Sequence, residues 1–337
     1  MPSLLPVGKL PAELLEKLLH EYINPDRRVI VGPGIGEDAT VIDFGDRYLI
    51  AKTDPITFAT DEIGWYAVQV NANDIACSGG TPRWFLATAL LPAGQATPQL
   101  AERIFHQLSS ACRELDISLC GGHTEITHGI DHPIIVGFML GEVEPSRVVR
   151  TGGARLGDVL ILTKGIAVEG TALIAREKAT ELAGAFEDTF IRRCQAFLHN
   201  PGISVVREAR IIHDLCEVHS LHDPTEGGLA TALHELAKAT GLGLQIEAEA
   251  IPIFPETAAL CRVFDLDPLG LIASGALLAA LPAEQAPAAL RALEEAGILG
   301  CVIGRVVPAG EGVTLRRGND ICPLPTFSRD EIARLFD

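Results

Sequence analysis

Gly32-Pro-Gly34-Ile-Gly36 runs on into Glu37-Asp-Ala-Thr-Val-Ile-Asp-Phe-Gly45, and the way it continues decides the fold. The glycines follow Arg28-Val-Ile-Val31, a strand by its β-branched run, and so resemble the opening of a dinucleotide-binding turn. Such a turn needs a helix to begin at the glycines, so that its N-terminus meets a pyrophosphate. Here apolar residues alternate after Glu37 instead, which is strand chemistry. The dinucleotide-binding fold is thereby excluded. The glycines serve either a plain turn or the seating of Asp38, which stands where the turn meets the strand.

Working outward, 11–22 has leucines at helical spacing and 47–51 reads as a strand. Helices are predicted over 62–77 and 98–116, with extended segments at 84–90, 117–120 and 134–143. That order is α+β rather than strict βαβ alternation. The Gly-rich run Thr151-Gly-Gly-Ala-Arg-Leu-Gly157 marks a linker region, so domains of 1–150 and 151–337 are expected. The second α/β unit is predicted to hold strands at 158–163, 220–222, 243–247, 276–281, 301–306 and 313–316. Its predicted helices cover 168–182, 203–218, 226–240, 283–296 and 329–336, the last capped by Ser328.

A chain of 337 residues suggests about two domains. Its 27 Lys and Arg stand against 44 Asp and Glu, and both halves are acidic, with 11 basic against 19 acidic residues up to position 150. No basic footprint for nucleic acid or anionic lipid is present. The most apolar stretch, 270–282, is shorter than the roughly 20 residues that span a bilayer, and the N-terminus lacks a signal-peptide pattern. A cytoplasmic protein is expected, with its eight scattered cysteines reduced and buried.

Chemistry concentrates on four acids. Asp74 falls on a helical stripe with Ile63, Ala67, Val70 and Cys77, and a carboxylate there is costly unless paired or bound to metal. It serves either a metal or an internal hydrogen-bond network, and Asn71 and Asn73 add polar capacity beside it. Asp54 and Asp223 end strands, a common ligand position in open sheets. With Asp38 they form an oxygen-donor set, which suits Mg²⁺ and hence phosphates. Backbone amides at Gly121-Gly122-His123-Thr124 and at Gly227-Gly228, which open a helix after Asp223, are candidate phosphate cradles. A zinc site from His123, Glu125, His128 and His132 is disfavoured, because Gly129 and Pro133 break any common register.

Several motifs then occur in one order: Gly36-Glu-Asp-Ala39, Lys52-Thr-Asp-Pro55, Asn71-Ala-Asn-Asp-Ile-Ala76, Gly80-Thr-Pro82, Gly121-Gly-His-Thr124, Gly157-Asp158 with Gly165 and Gly170, and Asp223-Pro-Thr-Glu-Gly-Gly-Leu229. Over about residues 30 to 306 this set resembles the aminoimidazole ribonucleotide synthetase (AIR synthase) superfamily. That superfamily includes thiamine-monophosphate kinase, selenophosphate synthetase and the hydrogenase maturation carbamoyl dehydratase. The Asn-Asp-Ile-Ala and Asp223 motifs look most like the hydrogenase maturation branch.

The resemblance implies a two-domain α/β fold whose N-terminal sheets pair between two subunits into a closed barrel. It further implies ATP in a cleft near the domain junction, used to activate an oxygen of a small substrate. By the same resemblance, Asp38, Asp54 and Asp74 would hold Mg²⁺, with Asp223 assisting and Asp74 and Asp223 serving catalysis. Gly121, Gly122, Gly227 and Gly228 would give amides to the phosphates, near His123 and Thr124. Lys52 is either a phosphate contact or a solvated strand residue. A homodimer and a maturation-protein partner are implied. The alternatives are a small-molecule kinase and a nucleotide-binding partner without turnover. Several members of that superfamily carry an acid at the position of His123, and the maturation enzymes end in a Pro-Arg-Ile-Cys tail, whereas this sequence ends Arg334-Leu-Phe-Asp337. Cys322, followed by Pro323 and Pro325, is accordingly expected to be a structural thiol.

Overall fold

The structure, a computed structural model, describes residues 5, 10–24, 26–34, 37, 39–57 and 61–336. The first half runs α1 (Ala12–Tyr22), β1 (Val29–Val31), β2 (Thr40–Asp43), β3 (Tyr48–Ile56), α2 (Ile63–Cys77), β4 (Thr81–Pro92), α3 (Pro98–Glu114), β5 (Ser118–Thr127) and β6 (Ile134–Val143). Its sheet has the order β1-β2-β3-β6-β4-β5, and only β4–β5 is parallel. Thr97 accepts from the Leu100 amide to start α3, and Pro98 fits the first turn because it needs no amide partner there. Ile104, Leu108, Ala111 and Cys112 give α3 one buried face.

The α2 helix is different, being buried nearly all round. One side packs on the sheet, where Gly137 and Gly141 of β6 make room: a Cβ there would lie 2.3 Å from Asn71 Nδ2 and 2.3 Å from Ile75 Cγ2. Its other side meets the second half. The single apolar stripe expected of this helix is therefore two buried faces, with Val70 only half-buried.

The second half contains β7 (Val159–Thr163), α4 (Val168–Glu177), α5 (Ala179–Leu182), α6 (Asp188–Gln195), α7 (Val206–Leu215), β8 (Ser220–His222), α8 (Gly228–Thr240), β9 (Gly243–Glu247), α9 (Pro255–Phe264), β10 (Leu278–Leu281), α10 (Ala286–Glu295), β11 (Gly300–Val307), β12 (Val313–Arg317) and β13 (Asp320–Pro323). Its sheet order is β13-β12-β9-β11-β7-β10-β8. The Gly-rich connection is packed: a Cβ on Gly153 would meet the His219 carbonyl at 2.1 Å. Apolar packing crosses between the halves, since Val168, Ala172, Phe197, Leu198 and Ile203 share a cluster with Phe85, Ile50 and Ile75. Each of the larger of these side chains, when fully buried, contributes about 1.5–3 kcal/mol. Among the described residues no helix is long and apolar enough to cross a membrane.

Four expectations change. β5 runs on past the expected 117–120 segment and through Gly121 and Gly122, and Cys120 is its bulged residue, skipped between the pairs Phe85–Leu119 and Leu86–Gly121. The predicted 168–182 helix breaks at Lys178, and α6 and α9 were not anticipated. The C-terminal helix is a 3₁₀ turn at Glu331–Leu335 capped by Asp330 rather than Ser328. None of the eight cysteines is in a disulfide, but Cys120 and Cys322 are exposed. Strand pairing of β13 with β12 holds Cys322 in place, with Sγ 3.5 Å from the Leu315 carbonyl.

Candidate functional site

The α2 helix carries a polar stripe at positions 62, 66, 69, 73 and 77, which helical spacing turns toward the second half. Glu62 accepts from Arg176 at 3.2 Å and lies 2.8 Å from His199 Nε2. Asn73 donates to the Ile203 carbonyl at 2.9 Å and accepts from the Val205 amide at 2.8 Å. Cys77 donates to the Asp223 carboxylate at 3.5 Å. The same 202–205 backbone is held from the other side by Lys164, whose ammonium reaches the Gly202 and Ser204 carbonyls at 3.1 and 2.6 Å. Burial lowers the pKa of Lys164, and the Glu208 carboxylate at 2.7 Å opposes that shift.

Toward the sheet, Asp74 meets β3. Lys52 and Asp54 alternate on the strand face that carries Ile50, so both side chains turn toward α2. Lys52 Nζ lies 2.9 Å from Asp74 and 3.4 Å from Asp54. Asp74 and Asp223 are buried, and Asp54 is half-buried at the margin. Two contacts thus flank α2 one turn apart, Asp54–Lys52–Asp74 toward β3 and Cys77–Asp223 toward the second half. Asp38, and Gly36 of its motif, lie outside the described residues. The donors are carboxylate oxygens, the kind a hard divalent ion takes, and the Lys52 ammonium is a cation already held between two of them. Among the described residues no group of three His, Cys, Asp or Glu side chains converges at metal-binding spacing.

The expected cradles lie elsewhere. β5 sits three strands across from β3, about 14 Å away at ordinary strand spacing. Within one chain, then, Gly121, Gly122, His123 and Thr124 do not join the carboxylates. Gly122 has a positive φ of 146°, and a Cβ there would lie 1.9 Å from the Ala87 carbonyl, so the bulged strand itself demands glycine. His123 is exposed, 3.6 Å from Glu125, while His132 Nε2 turns to the Thr57 carbonyl at 2.8 Å.

At the start of α8 the structure corrects the expectation of open amides. Gly227 donates to the Asp330 carboxylate at 2.6 Å and Gly228 to the Thr225 carbonyl at 3.1 Å. The polar capacity expected at Asn73 is likewise consumed in the clamp on 203–205.

Three residues of weight were not singled out in the sequence. Asp330 is buried and its pKa is raised, chiefly by that burial, against the lowering effect of three amide donors. Glu169, at the start of α4, is pushed up to about 7 by burial, with Ser274 opposing and Asp330 adding. Lys164 is the third. Burial would flag all three, but sequence carries burial only through periodicity. Asp330 alone had a local signal, as an acid directly before the turn that begins at Glu331.

Comparison with known proteins follows the two sheets. The AIR synthase related protein N-terminal domain model matches residues 36–143 and its C-terminal domain model residues 155–316. The carbamoyl dehydratase HypE of Azotobacter vinelandii is 32% identical over 88% of this chain and 85% of its own length. Among solved structures, a HypE–HypF complex aligns with a TM-score of 0.76 at 22% identity, covering 94% of this chain and 100% of that one. The hydrogenase maturation protein HypE in complex with ATP aligns with a TM-score of 0.73 at 24% identity, covering 94% of this chain and 91% of that one.

Proposed function

Because the chain belongs to the AIR synthase-related family, we propose that it binds ATP beside the carboxylates that α2 meets and uses it to activate an oxygen of a small substrate. The observation that carries this reading is the pairing of Lys52 with Asp54 and buried Asp74, one helical turn from the Cys77 contact to Asp223. Carboxylate oxygens on either side of Lys52 are the donors that a hard cationic ligand such as a divalent ion takes. The family's solved relative with ATP supports a nucleotide as that ligand's companion.

In this reading Asp54 and Asp74, on either side of Lys52, would take Mg²⁺ together with the nucleotide, with Asp223 and Asp38 as further proposed ligands, since the described carboxylates do not themselves converge on a preformed ion site. When bound, the ion neutralises charge on the phosphates. Lys52 supplies a second cation at the phosphates, and the walls of α2 and β8 exclude water. Phosphoryl transfer asks mainly for such positioning and charge neutralisation, and no protein nucleophile is needed. We assign the site to a cytoplasmic homodimer of two domains, 1–150 and 151–337, acting as a HypE-like maturation enzyme beside a partner maturation protein. The HypE–HypF complex supports the partner assignment.

Calorimetry with a nonhydrolysable ATP analogue, with and without Mg²⁺, tests the reading. Binding that requires Mg²⁺ is expected, and Asp74→Asn should weaken it about tenfold or more while leaving the melting temperature near that of the wild type. An Asp74→Asn protein with unchanged affinity makes Asp74 structural, and a wild type that binds in neither condition removes the ATP reading. Tight binding without phosphate release on a panel of small acceptors would favour a nucleotide-binding partner over an enzyme.

A further inference from the structure

The loop after Asp223 is held by a residue more than a hundred positions away. Asp330 is 5% exposed, and its two carboxylate oxygens take three backbone amides. Oδ2 accepts from Gly227 at 2.6 Å, and Oδ1 accepts from Ile272 at 3.2 Å and from Ile332 at 2.9 Å. Thr225 joins the same pieces, its carbonyl accepting from Gly228 and from Ala273, both at 3.1 Å. The segment that delivers Asp330 is itself docked. Phe327 fills the space beside Gly270, where a Cβ would lie 2.6 Å from its ring. Glu331 accepts from the Asp267 amide at 2.9 Å, and Ile332 and Leu335 pack on the cluster around Leu260 and Leu271.

We propose that Asp330 is a positioning residue for the candidate ATP site: its carboxylate, carried in by the C-terminal segment, fills the start of α8 and so fixes the loop that bears Asp223. A helix start offers unpaired amides and a favourable field to an anion, and here the anion is internal. The three bonds are charge-assisted and removed from solvent, which makes them stronger than ordinary backbone pairs. They tie the Asp223 loop to the 270–274 segment and to the C-terminal turn. Binding at Asp223 thereby depends on a segment more than a hundred residues away in the sequence.

The consequence for ATP rests on the function proposed above, so two readouts are kept apart. Amide hydrogen exchange on the full chain, without nucleotide, reads the loop. Asp330→Ala should speed exchange at Gly227 and Ile272 relative to wild type, and millimolar formate should slow it again by re-entering the vacated place. Calorimetry with the ATP analogue and Mg²⁺ reads the site, and the same variant should bind about tenfold more weakly, with formate restoring part of the loss. If Asp330→Ala does not fold, Asp330→Asn gives the same readout, because it keeps the volume and loses the anionic acceptor for Gly227. Exchange at the wild-type rate in a folded variant overturns the proposal, as does a loosened loop that binds the analogue with wild-type affinity. A wild type that binds no nucleotide removes the ATP reading, while accelerated exchange in the variant still upholds Asp330 as the residue that fixes the loop.

Discussion

Glu169 shows how one side chain makes stability depend on pH. Its carboxyl is buried at the start of α4, and that burial lifts its pKa from an ordinary 4.5 to about 7. Below pH 4.5 the group is protonated in both folded and unfolded chains and is neutral in its effect. Between pH 4.5 and about 7 the unfolded chain releases the proton while the folded one keeps it. The folded state then binds more protons, so stability falls as pH rises through that window and levels off above it. Glu169→Gln should remove this part of the slope, because the amide keeps the shape and does not titrate. Urea unfolding of both proteins at pH 5, 6, 7 and 8 measures the difference. Parallel curves would show that Glu169 keeps its ordinary pKa in the folded chain.

At the scale of elements, α2 joins everything. One face lies on the glycines of β6, and the other clamps the backbone before α7 through Asn73. Asn73→Ala would leave the Ile203 carbonyl and Val205 amide buried without their partners, at a cost of about 2–4 kcal/mol. Chemical denaturation should register that loss, and a change below about half a kcal/mol would mean that the two groups find other partners. The existence of α2 was legible from its apolar content and length, whereas its all-round burial was not, since a helix covered on both sides has no one-sided stripe to read. The helix expected over 98–116 is α3, whose start the structure shows capped by Thr97 with Pro98 in the first turn. By contrast α6 is two turns long, and α5 a single turn, too short for a period to emerge. The acids Asp54, Asp74 and Asp223 stood out as carboxylates among apolar residues; Asp54 and Asp74 flank Lys52, while Asp223 meets α2 separately through Cys77. Lys52 was left open, and only the distances show that it lies between two of them. Asp330 escaped notice because Gly227 and Ile272 are 103 and 58 positions away, and no local pattern spans such distances.

For the molecule as a whole, the open face of the first sheet is the outstanding feature. Phe85, Ala87, Ala89 and Leu91 of β4 point to α2 and α3 and are buried. The alternate residues Trp84, Leu86 and Leu90, with Val136, Phe138 and Leu140 of β6, point the other way and remain exposed or half-buried. A sheet in water is stable with one apolar face covered, and a second apolar face of this kind marks a place where another layer belongs. β5 leaves one backbone edge unpaired beside that face. A second copy solves both problems at once, since two identical sheets related by a twofold axis cover each other's apolar faces and close each other's edges. Sedimentation at micromolar concentration should therefore give twice the chain mass. In the proposed dimer Phe138→Glu would place a charge on the paired faces of both copies and should raise the dissociation constant roughly a thousandfold, leaving a folded monomer. The helices that cover the opposite face, and the second sheet, keep their own packing, so circular dichroism should change little. A wild-type monomer, or a Phe138→Glu protein that still sediments as a dimer, would show that the open face serves something other than a second copy.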